Sequence, residues 1–179
     1  IVFLAVLYDF GQFLLNAFRK ANPEEIDALG TLQSLPRVYC PLPEAFDRLV
    51  ATAQSLTSHH LRTFLTRVLE RQERLEAFLN APGSRNYHHA YPGGLLQHSL
   101  EVANHSVAML RLNEPAMPRL MQEACFVGGL LHDIGKTYTY DSKGKPNAAW
   151  KLCSHDVFTL EACAYGLAYL DAHEPDIAM

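Results

Sequence analysis

RLMQEACFVGGLLHDIGK, residues 119–136, is the stretch that decides the fold. Its apolar residues Leu120, Ala124, Val127, Leu131 and Ile134 recur at three- and four-residue spacing, the period of one face of an α-helix. The spacing predicts a helix from Arg119 to about Ile134, closed by Gly135 as its cap. At the carboxyl end, directly after Leu130-Leu131, stands the polar pair His132-Asp133. Such a pair is expensive to bury unless it is hydrogen-bonded or coordinates something. Gly128 and Gly129 weaken the helix and are expected to permit a close helix crossing beneath that pair.

Upstream, Gly93-Gly94 opens a helix predicted to run to about Leu112, with Leu96, Leu100, Ala103, Val107 and Leu110 as its apolar face and His98 within the same largely apolar stripe. His98 and His132 lie 34 positions apart (132 − 98). That interval holds one helix, a turn with Pro115 and Pro118, and an antiparallel return, so the two imidazoles are expected to face each other. Before them, Pro43 starts a helix with Phe46, Leu49, Val50 and Ala53 inward. Thr57 or Ser58 caps a longer one that ends at Pro82-Gly83. On that helix Arg67, Arg71 and Arg74 interleave with Glu70, Glu73 and Glu76, which reads as a solvated face of ion pairs in preference to a phosphate-binding stripe. After it, Thr137 to Trp150 reads as a hairpin-like excursion. Ser154 then caps a helix to about Asp171, with His155 in its first turn.

Long helices without alternating strand patterns indicate an all-α bundle over residues 43–179. Residues 1–42 form an N-terminal appendage and Pro-rich connector. There Phe3, Leu7, Phe10, Leu14 and Phe18 have helical spacing, while Ile1 to Tyr8 suits a strand equally well, and Glu24 to Leu29 forms at most a short helix.

Of the 179 residues, 49% are hydrophobic and 19% charged, enough apolar surface for a packed core. A net charge of −4 excludes a protein that coats nucleic acid by bulk electrostatics. Cys40, Cys125, Cys153 and Cys163 form no CxxC pair and read as free thiols of a reducing, cytoplasmic setting. The apolar run Ile1 to Tyr8 meets Asp9 too soon to span a bilayer, so no membrane partner is expected. The chain begins without Met and ends just after Glu174-Pro175-Asp176, a helix-start signal. It is expected to be a piece of a longer polypeptide whose other domains are its partners.

A shell of His98, His132 and Asp133 suits Mn, Fe, Ni, Co or Zn, as one or two divalent ions, and tolerates Mg poorly. Such an ion acidifies water and polarises a phosphoryl oxygen. Lys136, one turn beyond His132, is placed to meet a phosphate, and Gly135 would let substrate approach the backbone. His88 and His89 read either as an exposed loop pair or as groups for substrate phosphate or a second metal. His89 is the stronger candidate, since a loop ending at Gly93-Gly94 can fold it back over the helix that carries His98. His105, two turns after His98, suits an interhelical hydrogen bond. Tyr87, Tyr91 and Trp150 suit loop packing or base stacking equally.

The segments HHAYPGGLLQHSLEVA (88–103) and GLLHDIGK (129–136) resemble the HD-domain superfamily of metal-dependent phosphohydrolases. Within it the wording is similar to YhaM-type 3′-to-5′ exoribonucleases and to TraI-type domains of conjugative relaxases. The resemblance implies that His98, His132 and Asp133 are metal ligands, with Asp133 bridging if two ions bind, and that Lys136 contacts substrate phosphate. It also implies that His155 adds a ligand or a phosphate contact. The family's last aspartate is expected beyond Met179. The implied activity is cleavage of phosphodiesters in nucleic acid or nucleotides, with Asp133, Lys136 and His89 catalytic and His88, His89 and Lys136 binding substrate. The alternative is a non-catalytic HD scaffold that binds nucleic acid or docks within a larger relaxase-like protein.

Overall fold

The computed structural model describes residues 2–8, 12–19, 40–140 and 145–178. The chain separates into two compact units, Ile1–Ser34 and Leu35–Met179. In the first, β1 (Val2–Tyr8) and β2 (Gln12–Arg19) pair antiparallel, with Val2 opposite Arg19, Tyr8 opposite Gln12 and a register shift between Leu4 and Ala5. Of the two readings open for this segment the strand holds, since Val, Phe and Tyr favour the pleated conformation. The short helix expected at Glu24 to Leu29 lies outside the described residues.

The second unit is all-α. Its helices are α1 (Pro43–Ser55), α2 (His59–Leu69), α3 (Gln72–Asn80), α4 (Gly94–Asn113), α5 (Arg119–Leu131), α6 (His155–His173) and the short α7 (Pro175–Ala178). A 3-10 turn, Ile134–Tyr138, follows α5, and a second one covers Ala149–Lys151. Helix α4 packs on α5, while α6 packs on α2 and on the first 3-10 turn. Leu49, Leu61, Phe78, Leu95, Leu96, Leu100, Leu130 and Ile134 are fully buried between them. Each contributes roughly 1.5–3 kcal/mol through its removal from water. The excursion after Thr137 is tied by a bridge between Tyr140 and Pro146 and by the Asn147 amide donating to Thr139 O (2.9 Å).

Two caps anchor the bundle. The Ser58 hydroxyl accepts from the Leu61 amide (3.2 Å) at the start of α2. Glu123 of α5, itself buried, reaches the same terminus, accepting from the Thr57 amide (2.9 Å), the Thr57 hydroxyl (2.7 Å) and the Ser58 amide (3.0 Å). A carboxylate facing a helix amino end is the favourable sense of the helix dipole. Burial works against its charge, yet donors from Arg119, Ser58 and Thr57 prevail and hold its pKa at about 2.

The single long helix expected from Ser58 to Pro82 is two helices, broken at Glu70-Arg71, and Arg74 leaves the solvated face assigned to it. Arg74 is buried, and its Nη1 donates to Val68 O (2.7 Å) and Ala162 O (3.0 Å), its Nη2 to the Tyr138 hydroxyl (2.6 Å). The break exposes the carbonyls at the end of α2, and the guanidinium of the next helix satisfies one of them. Arg67, by contrast, lies over the rings of Tyr165 and Tyr169, 4.8 and 4.4 Å from their centroids. All four cysteines are free, and among the described residues no helix is long and apolar enough to cross a membrane.

Candidate metal centre

Helix α5 ends at Leu131 with His132 as its C-cap, and Asp133 (φ −107°, ψ 11°) turns the chain into the 3-10 segment. This turn lets two adjacent side chains lean toward one point at the helix end. On the other side, a Cβ on Gly129 would stand 2.8 Å from Ala103 Cα, so its absence allows α5 to approach α4 closely. Gly128 has nothing within 4 Å of such a Cβ, and the expected helix-crossing role falls to Gly129 alone. The close crossing brings the rings of His98 and His132 to a centroid separation of 5.2 Å.

Ligand atoms of His98, His132 and Asp133 all lie within 4.8 Å of one another, and this trio is able to hold a metal ion. Asp133 Oδ2 is 3.3 Å from His98 Nε2 and 3.2 Å from His132 Nε2. The His132 Nδ1–H donates to Gly129 O (2.8 Å), which commits the other ring nitrogen to face the carboxylate. In the neutral tautomer that nitrogen is a lone pair opposite an acceptor-only oxygen, an arrangement that needs a proton or a metal cation between them. The donor set therefore fits a borderline divalent ion, with the second ring nitrogen fixed by a backbone carbonyl as in other imidazole-ligated sites.

Charge at this point is heavily biased. Burial alone would raise the Asp133 pKa, but hydrogen bonds from His132 and Lys136 hold it far below the usual carboxylate range. Its hydrogen bond to Asp133 raises His132, against the opposing effect of burial, whereas burial lowers His98. Lys136 Nζ donates to Asp133 Oδ2 (2.7 Å) and to Gly83 O (2.6 Å), so the ammonium lies against the carboxylate. His155 Nε2 approaches the other oxygen, Asp133 Oδ1, at 2.9 Å, and lies 3.4 Å from Asp156 Oδ1. It thus joins the cluster from α6 through the carboxylate oxygen that His98 and His132 do not face.

The loop before α4 brings in His89. Its φ is +62°, Gly93 has φ +82°, and a Cβ on Gly94 would collide with the His89 carbonyl. The missing side chain at Gly94 lets His89 fold back, placing its ring 5.4 Å from that of His98. His89 Nε2 donates to Glu101 Oε2 (3.0 Å), and its buried Nδ1 has no hydrogen-bond partner. Glu101 also accepts from Gln97 Nε2 (3.0 Å), and Gln97 Oε1 accepts from the Tyr91 hydroxyl (2.9 Å). Burial opposes ionisation of Glu101, yet hydrogen bonds from Gln97 and His89 lower its pKa. His88 is exposed, with its ring 6.0 Å from that of His89. Tyr87 is 79% exposed, and His105 lies exposed on α4 instead of bridging helices.

Gly135 serves neither as helix cap nor as a place for substrate to touch the backbone. A Cβ there would strike the His155 carbonyl, and the Gly135 amide donates to Thr159 Oγ1 (3.0 Å). The Thr159 hydroxyl in turn donates to His132 O (3.2 Å), pinning α6 to the His-Asp turn. Thr159, Glu101 and Gly83 are contributors that the motif text does not announce. Glu101 alone had a readable signal, standing three residues after His98 and so on the same face of α4.

A family model named TraI_2, described as "Putative helicase", matches residues 43–151. Among curated proteins the chain is similar to a dihydroneopterin 2′,3′-cyclic phosphate phosphodiesterase of Methanocaldococcus jannaschii, 29% identical over 106 residues. The alignment covers 54% of this chain and 43% of that relative. No solved structure matches.

Proposed function

The chain belongs to the TraI_2 family, of HD/TraI type, and from that premise and the geometry around Asp133 we propose a divalent-metal-dependent phosphohydrolase that cleaves phosphodiesters of nucleotides or nucleic acid. One observation carries the reading: a buried carboxylate with two imidazole nitrogens, one from α4 and one from the end of α5, at 3.2–3.3 Å from a single oxygen. A bound divalent ion supplies Lewis acidity toward a phosphoryl oxygen and lowers the pKa of water. His98, His132 and Asp133 would hold it. Lys136, whose Nζ lies 2.7 Å from Asp133 Oδ2, provides positive potential for the developing charge of a phosphorane. His89 offers an unpartnered Nδ1 lone pair, with Nε2–H fixed on Glu101, and so suits accepting a proton or orienting a phosphate. The likeness to a dihydroneopterin 2′,3′-cyclic phosphate phosphodiesterase supports the phosphodiesterase class and admits a cyclic phosphate as substrate.

The word helicase finds no support in these residues. Leu130, Leu131, His132, Asp133 and Ile134 place five residues between Gly129 and Gly135-Lys136-Thr137, where a phosphate-binding loop requires four. Lys136 is moreover engaged with Gly83 and Asp133.

A second reading, a non-catalytic scaffold that binds nucleic acid or docks within a longer relaxase-like polypeptide, is favoured by one observation. Lys136 and His155 already satisfy both oxygens of Asp133 without an ion. Metal content of wild type and His132→Ala, with turnover of 2′,3′-cyclic nucleotides and of single-stranded RNA and DNA in Mn, separates the two. Metal bound by the wild type alone, and turnover abolished by Asp133→Ala, are expected of the enzyme. Equal, negligible metal in both proteins with no turnover assigns the scaffold.

A further inference from the structure

Beside the metal centre lies a cleft of about 460 Å³, within the range of small-molecule sites. Tyr91 and Tyr140, with Pro92 and Pro146, give it flat apolar walls, while Arg85 and Lys145 add cationic groups; among the described residues none that lines it is acidic. The cleft and the metal centre share one loop. Gly83, whose carbonyl takes the Lys136 ammonium at 2.6 Å, sits between two residues that line the cleft. Farther along, His89 turns its ring toward His98 while its neighbours Ala90 and Tyr91 face the cleft. The Tyr91 hydroxyl, through Gln97 and Glu101, belongs to the same hydrogen-bonded chain that holds His89.

We propose that this cleft is a nucleobase subsite: it takes the heteroaromatic ring of a nucleotide between its tyrosine and proline walls, with the ribose-phosphate directed toward the metal centre. The proposal rests on the phosphodiesterase reading for the direction of the phosphate, and on the cleft's own chemistry for the base. Aromatic faces stack on any base, and a guanidinium at the rim pairs with phosphate oxygens or stacks on the ring in turn. The Arg85 guanidinium lies 5.7 Å from the ring centroid of Trp150, itself 43% exposed, which extends the aromatic surface past the mouth.

Trp150 is the chain's single tryptophan, so its fluorescence reports on this place alone. The whole chain is titrated with adenosine 5′-monophosphate, with ribose 5-phosphate and with a short oligoadenylate, all without metal. Expected is a saturable change with the nucleotide, with a dissociation constant on the order of 0.1–1 mM. Ribose 5-phosphate should bind at least about tenfold more weakly, and Tyr91→Ala should lose about tenfold for the nucleotide only, because a stacked base is what both remove. Tyr91→Phe, which keeps the ring, should retain binding and guards against a folding defect. Tighter binding of the oligoadenylate identifies a strand end as the source of the base, and equal binding a free nucleotide. No saturable change up to about 10 mM, or equal affinity for ribose 5-phosphate, overturns the subsite. Since no turnover is required, saturable nucleotide binding without hydrolysis of 2′,3′-cyclic nucleotides or of single-stranded RNA and DNA in Mn would sink the phosphodiesterase reading and leave the subsite standing, and hydrolysis without base-dependent binding would do the reverse.

Discussion

Gly135 rests against Thr159 so closely that its amide donates to the threonine hydroxyl at 3.0 Å and an added Cβ would lie 2.7 Å from the same oxygen. Neither partner can retreat easily, since the atoms facing Gly135 include the backbone of α6. Gly135→Ala should therefore push α6 away from the His-Asp turn and cost at least about 1–3 kcal/mol, the usual range for overpacking. Gly128→Ala, which meets open space in a helix, should be neutral or stabilise by up to about 1 kcal/mol. Urea unfolding of both variants checks the pair, and equal midpoints for the two would contradict it.

Glu101 holds the His89 ring through its Nε2 at 3.0 Å, and on the phosphodiesterase reading it is a positioning residue. Glu101→Ala should free the imidazole and reduce turnover about 10- to 100-fold, the range seen when the partner orienting a site histidine is removed. Glu101→Gln keeps an acceptor and should lose less. The discriminating readout is the nitrogen NMR of His89: the Nε2–H signal expected in wild type should vanish or exchange rapidly in the alanine variant. An unchanged His89 spectrum would remove the positioning role.

Arg74 ties the end of α2, α6 and the 3-10 turn through one guanidinium. Arg74→Met preserves most of the volume but strands the Val68 carbonyl at the end of α2 and removes the bonds to Ala162 O and the Tyr138 hydroxyl. A loss of roughly 2–4 kcal/mol is expected, from unmade hydrogen bonds to a charged group. Chemical denaturation measures it, and a loss under about 0.5 kcal/mol would show the network to be dispensable.

Glu123 predicts an acid-sensitive fold. Its pKa is about 2 in the folded chain against an ordinary 4.5. The stability it contributes is present in full above the unfolded value and disappears as pH falls from about 4.5 toward about 2. Glu123→Gln should be less stable than wild type at pH 7 by about 1–3 kcal/mol, and the gap should narrow by pH 3. A gap that stays constant between those two pH values would assign the difference to packing.

The helix pair α4 and α5 was legible because strict three-to-four spacing of Leu96, Leu100, Ala103 and of Val127, Leu131 leaves one face for the core. The interval between His98 and His132 then places both imidazoles at one end of that pair. The burial of Arg74 was not legible, because periodicity assigns a long cation to the surface and the break at Glu70-Arg71 carries neither Gly nor Pro. Nor was the partner of Gly135, since its neighbour Thr159 lies 24 residues away and touches it only through tertiary packing. The apolar spacing of Phe3, Leu7 and Leu14 fits a helix on paper, but short apolar runs satisfy both periods and strand-favouring side chains settle the matter.

His89 holds a left-handed backbone that asparagine, aspartate or glycine would adopt with less strain. Position 94 has no such latitude, since any side chain there runs into the carbonyl of residue 89. The two positions thus differ in how freely descent can alter them. A lineage can trade the imidazole at 89 for another short polar group without rebuilding the hinge, whereas a change at 94 abandons the loop altogether.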